Sequence, residues 1–61
     1  MNAFDAICLE LDEEVRSRKE YLAQGSCTHD EYLKICGEIK GLLFAYSYVQ
    51  DLKQRMESSD E

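Results

Sequence analysis

One interruption governs what this chain can become. Between two long helix-forming stretches stands Gly25-Ser26-Cys27-Thr28-His29-Asp30-Glu31, and proline is absent throughout. Gly25 follows the last residue of a periodic run. It suits the left-handed position that closes many helices. Thr28 and Glu31 match a capping box, in which the Thr28 hydroxyl accepts from the Glu31 backbone N–H and the Glu31 carboxylate reaches back. Asp30 and Glu31 also suit the positive end of a helix dipole. Cys27 just before the cap and Tyr32 inside the first turn have hydrophobic-staple spacing. A link this short makes its two helices antiparallel neighbours. The expected fold is therefore all-α, an antiparallel two-helix hairpin. Helix one covers 3–24, the turn 25–28 and helix two 29–57, with a frayed acidic tail at 58–61.

Each helix carries an apolar seam with steps of three and four, as in coiled coils and bundles. On helix one it is Phe4, Cys8, Leu11, Val15, Arg18 and Leu22, with Ala3 and Ile7 widening it at the N-terminal end. Arg18 is the charged member, and its stem can cover apolar surface while the guanidinium reaches water. On helix two the seam is Tyr32, Ile35, Ile39, Leu42, Tyr46, Val49, Lys53 and Met56. Folding at the turn pairs residues whose numbers sum to about 54, so Leu22 meets Tyr32, Val15 meets Ile39 and Cys8 meets Tyr46. Cys8 and Cys36 then stand roughly 15 Å apart along the axis, which argues against a disulfide between them. Helix two should outrun helix one by roughly five residues, leaving Leu52 and Met56 uncovered.

Helix two also carries a second apolar face. At about 100° per residue, Gly37, Gly41, Phe44 and Tyr48 share one line, nearly opposite Ile39 and Leu42, and Leu52 extends it. No charged residue occurs from Leu42 to Val49. A helix apolar almost all round is buried on several sides, and one partner helix cannot cover it. Two glycines a turn apart each cost roughly 1 kcal/mol against alanine. Together they form a notch into which a backbone or a ring can fit, a steric logic best known in membranes. The alternative is plain surface tolerance of glycine. The aromatic neighbours favour a docking groove, so Gly37, Gly41, Phe44, Tyr48, Leu52 and Met56 are the expected partner interface.

Composition supports a life by contact. A 61-residue chain buries only roughly 60% of its unfolded surface and usually needs a staple. Three cysteines, an odd number, cannot all pair within the chain. No secretory segment precedes Asp5, which points to a reducing cytoplasm with the cysteines as packing residues. Oligomerisation is the remaining staple. The net charge of -6, 13 acids against 7 Lys and Arg, argues against nucleic acid held by charge. No apolar run approaches the roughly 20 residues of a membrane span.

Catalytic chemistry finds little footing. Cys27, His29 and Cys36 lack the paired spacing and fourth ligand of a zinc site. A cysteine nucleophile needs a base held beside it, and two helices offer no pocket for one. The acids Glu10, Asp12, Glu13 and Glu14 read as a solvated face more readily than as a phosphate mimic. The expectation is no enzyme, no cofactor and no metal.

The stretch EYLKICGEIKGLLFAYSYVQDLKQRM resembles short helical-hairpin proteins of tailed bacteriophages encoded near head and portal genes. The shared features are Tyr32, the run Gly37-Glu38-Ile39-Lys40-Gly41-Leu42, the stretch Phe44 to Tyr48, and the charged end Asp51 to Met56. The resemblance implies a virion or assembly component. Its partners would be copies of itself or a larger phage structural protein such as portal or capsid. Its place would be the bacterial host cytoplasm during infection, or the virion. No functional residue is carried over from it. Two other readings compete. A dimeric RNA-binding regulator like the plasmid repressor Rop would need a basic strip from Arg16, Arg18, Lys19, Lys34 and Lys40. An inhibitor would present the acidic face to a basic host protein.

Overall fold

The computed structural model describes residues 2–58. Helix α1 spans Ala3–Ala23 and helix α2 spans His29–Ser58. They lie antiparallel in a layer one helix deep, 51 × 18 × 11 Å. The fold is thus the all-α hairpin expected. Relative to the sequence reading, α1 stops one residue earlier, with Gln24 as its C-cap. α2 takes in Ser58, the first residue assigned to the tail. The rest of that tail, 59–61, lies outside the described residues.

The ends of the helices follow their local chemistry. Asn2 caps α1 by accepting from the Asp5 backbone N–H at 2.9 Å, a residue type well suited to that post. Gly25 closes α1 at φ 73°, and its N–H donates to the Leu22 carbonyl at 3.1 Å. A side chain there would be strained, so glycine is required by backbone geometry. The capping box forms in both directions. The Glu31 N–H donates to Thr28 Oγ1 at 3.2 Å, and the Thr28 N–H donates to Glu31 Oε1 at 2.9 Å. Those contacts, the backbone bond at Thr28 first, hold the Glu31 carboxyl below its ordinary range. Tyr21 adds a hydroxyl bond to the second oxygen of Glu31 at 3.4 Å, tying α1 to the start of α2. Replacing Thr28→Ala should cost about 1 kcal/mol, read as a lower urea midpoint with an unchanged slope.

The seam is where the residues said it would be. Phe4, Cys8, Leu11, Val15, Arg18 and Leu22 are all buried or half-buried. On α2 the same holds from Ile35 through Lys53, while Tyr32 and Met56 at the two ends are exposed. Cys8, at 6% exposure, and Val15, at 5%, are the buried residues among those described. The reason is geometric: one neighbouring helix covers a stripe of about 100° and no more. Ala3 and Ile7, expected to widen the seam, lie at its edge and stay exposed.

The register differs by about two residues from the expected one. Arg18 meets Glu38, and Cys8 sits between Tyr46 and Gln50. Paired numbers therefore sum to about 56. Ala3 is then level with Lys53, and α2 extends about five residues beyond α1. Met56 belongs to that extension. Leu52 does not: it is level with Phe4, and it is exposed because it faces away from α1.

Polar residues flank the seam and set this register. The Arg18 guanidinium bridges Glu14 Oε1 at 2.8 Å and Glu38 Oε1 at 3.1 Å. These two carboxylates, Glu14 first, hold it above its ordinary value. Arg18 is the charged member of the α1 seam, facing an apolar stripe on α2. Glu38 meets it from the other helix. At the open end Lys53 Nζ donates to Asp5 Oδ1 at 2.8 Å. That bond lowers the Asp5 carboxyl and raises the Lys53 ammonium from their ordinary values. Next to it Gln50 Nε2 donates to Cys8 Sγ at 3.3 Å.

Candidate partner interface

The outer face of α2 carries the side chains that the hairpin leaves unpacked. Phe44 is 71% exposed and Tyr48 68%, the highest exposures among the large apolar residues of the described chain. Their rings stand 6.4 Å apart between centroids and tilted by 39°, a packed aromatic pair presented to solvent. Leu33, Leu43, Leu52 and Met56 are exposed on the same helix. Scattered apolar residues on a surface need no explanation, but a packed pair of rings this exposed is a candidate contact site.

Gly37 and Gly41 belong to this face. A Cβ built on either meets nothing within 4 Å. The hairpin itself therefore does not require glycine at these positions. Neither has a positive φ, so backbone geometry does not require it either. Both pay the helix penalty of glycine without an internal return. Any benefit lies in what approaches from outside. All six expected interface residues, Gly37, Gly41, Phe44, Tyr48, Leu52 and Met56, are exposed and lie on α2. The first five share the outward line; Met56 sits closer to the seam side, at the overhang.

Other candidate groups disperse. Cys8, Cys27 and Cys36 are free thiols, buried in the first case and half-buried in the others. Cys36 lies one turn from Tyr32, and its hydrogen bond is the first cause of a raised Tyr32 hydroxyl. Among the described residues no three of His, Cys, Asp or Glu are grouped to hold a metal ion. An open groove lies along the seam between Asp5, Leu9 and Asp12 on one side and Tyr46 and Gln50 on the other. The basic residues weighed for an RNA strip are partly engaged: Arg16 pairs with Asp12 at 3.1 Å and Arg18 with two carboxylates. Among the described residues no helix is long and apolar enough to cross a membrane.

Sequence reasoning missed Leu9, Leu33 and Ile7 as exposed apolar residues. The signal for Leu9 and Leu33 was available, since neither falls on a seam with steps of three and four. Comparison with family models, with curated proteins and with solved structures finds no match for this chain.

Proposed function

We propose that this chain is a non-enzymatic interaction protein that works by packing the outer face of α2 against another polypeptide. The observation that carries the reading is the coincidence of Phe44 and Tyr48, highly exposed, with two glycines that the hairpin does not need. A layer one helix deep encloses little apolar surface of its own. Covering the second face supplies the burial that small domains otherwise obtain from disulfides or metals. The resemblance of residues 31–56 to phage hairpins supplies the setting: a virion component or an assembly factor, acting in an infected bacterial cell. The RNA-binding reading draws no support from the charges, because Arg16 and Arg18 are committed to carboxylates of the hairpin.

A photo-crosslinking residue in place of Phe44 tests the reading in the cells that make the protein. The same residue in place of Glu13, on the exposed side of α1, is the control. Crosslinks from position 44 and none from position 13 are the expected result. Equal crosslinking from both positions, or none from position 44, overturns it.

A further inference from the structure

The seam of α2 changes character after Val49. From Ile35 to Val49 its half-buried side chains are apolar or aromatic. Past Val49, Gln50 and Lys53 are the half-buried residues among those described. Both are polar, and each crosses to α1 by one hydrogen bond. Gln50 Nε2 donates to Cys8 Sγ at 3.3 Å, and Lys53 Nζ donates to Asp5 Oδ1 at 2.8 Å. The apolar residues of this segment, Leu52 and Met56, are exposed. The last turns of α2 are therefore held to α1 by polar contacts and by the aliphatic stem of Lys53. The rest of the hairpin is held by apolar burial.

The α1 residues at this end are of the opposite kind. Cys8 is 6% exposed and Phe4 is half-buried. Among the described residues α1 and α2 are the two elements of the chain, so no third one stands over them. Their cover is the end of α2.

We propose that α2 from Gln50 to Ser58 is a latch, which detaches from α1 while the rest of the hairpin stays closed and thereby uncovers the Cys8 thiol and Phe4. Local opening belongs to segments with few buried apolar contacts, and this segment has the fewest on the seam. The fixed half of the latch is Asp5. It stands in the first turn of α1, where the helix dipole favours its charge, and its backbone N–H is held by the Asn2 cap. The moving half is Lys53. An ion pair this close to water contributes modestly, so the closed state is favoured by a small margin and the pair sets how often the end is open. Ile7, Leu52 and Met56 are already exposed toward this end. Opening adds Phe4 and Cys8 to them. The apolar surface here is conditional on the latch, whereas the outer face of α2 is always presented. The latch operates whether or not that outer face is occupied.

Alkylation of the native full chain with iodoacetamide, followed by peptide mass spectrometry, reads the three thiols together. Cys8 should react more slowly than the half-buried Cys27 and Cys36. Lys53→Gln and Asp5→Asn should each speed the reaction of Cys8 by roughly two- to fivefold and leave Cys27 and Cys36 unchanged. Removing a cation from beside a thiol lowers its reactivity, so faster labelling in Lys53→Gln reports access. The double variant should be no faster than the faster single one, because both changes remove the same contact. Circular dichroism should show helix in every variant. Acceleration of all three thiols together means that the hairpin opens as one unit and overturns the latch. An unchanged Cys8 rate, or a double variant whose effect is the product of the two single ones, overturns the Asp5–Lys53 pair as the contact that holds it.

Discussion

Val15→Asp should abolish the helical signal of the chain. Val15 is 5% exposed in the middle of the α1 seam, and burying a valine is worth roughly 1.5–3 kcal/mol. A carboxylate buried in its place costs several kcal/mol more, because the nearest cation of the seam, Arg18, already pairs with Glu14 and Glu38. A domain of this size has roughly 3–9 kcal/mol in total, at about 0.05–0.15 kcal/mol per residue. The single change thus consumes most or all of the stability. Far-ultraviolet circular dichroism at room temperature should show loss of helix. The same chemistry at position 44 provides the contrast: Phe44→Asp acts on a side chain that the hairpin does not pack, and its helix should persist. Retention of helix by Val15→Asp would mean that the seam is not what holds the two helices together.

That contrast separates what was legible in the residues from what was not. The six seam positions of α1 follow from steps of three and four, because the period of an α-helix leaves few other ways to form one stripe. Gly25, Thr28 and Glu31 were legible because each residue type solves a backbone problem at a fixed offset. The register was less so. Apolar stripes slide past one another at small cost, and the position is settled by polar residues at their margins. Glu38 reaching Arg18 and Lys53 reaching Asp5 join residues 20 and 48 positions apart in the chain. No local spacing rule links them. The Asn2 cap escaped notice although Asn followed three residues later by Asp5 is a start signal in itself. Ile7 failed for a different reason: it is apolar and next to the stripe, and only the width that one neighbouring helix can cover excludes it.

The two sets of residues on α2 have different surroundings in the hairpin. Ile39, Leu42, Tyr46 and Val49 are half-buried against α1. Gly37, Gly41, Phe44 and Tyr48 are exposed. A helix built only to close the hairpin would place helix-favouring polar residues on its outer side. Such residues would remove both the glycine penalty and the solvation cost of two exposed rings. That the outer side instead combines glycine with aromatics is intelligible if its stability and its contact function pull in opposite directions.

Gly41→Leu makes that opposition measurable. Leucine is a strong helix former, and the change should add about 1 kcal/mol to the helix. The site has room, since a Cβ there meets nothing within 4 Å. Helicity in dilute solution should therefore stay equal or rise, and the thermal midpoint of the isolated hairpin should rise with it. Association should move the other way. A leucine fills the gap that receives the partner's side chain and holds the two backbones apart, so crosslinking from position 44 should fall sharply. Overpacking of a fitted contact typically costs 1–3 kcal/mol, or roughly 5- to 150-fold in affinity at 1.4 kcal/mol per tenfold. Gly37→Leu should act in the same direction through Tyr48. Gly25→Leu should not, because its left-handed backbone makes a side chain costly at the turn itself. If Gly41→Leu stabilises the hairpin and leaves association untouched, glycine at this position is surface tolerance and the notch has no occupant. If it stabilises the hairpin and releases the partner, the glycine is kept for what it admits.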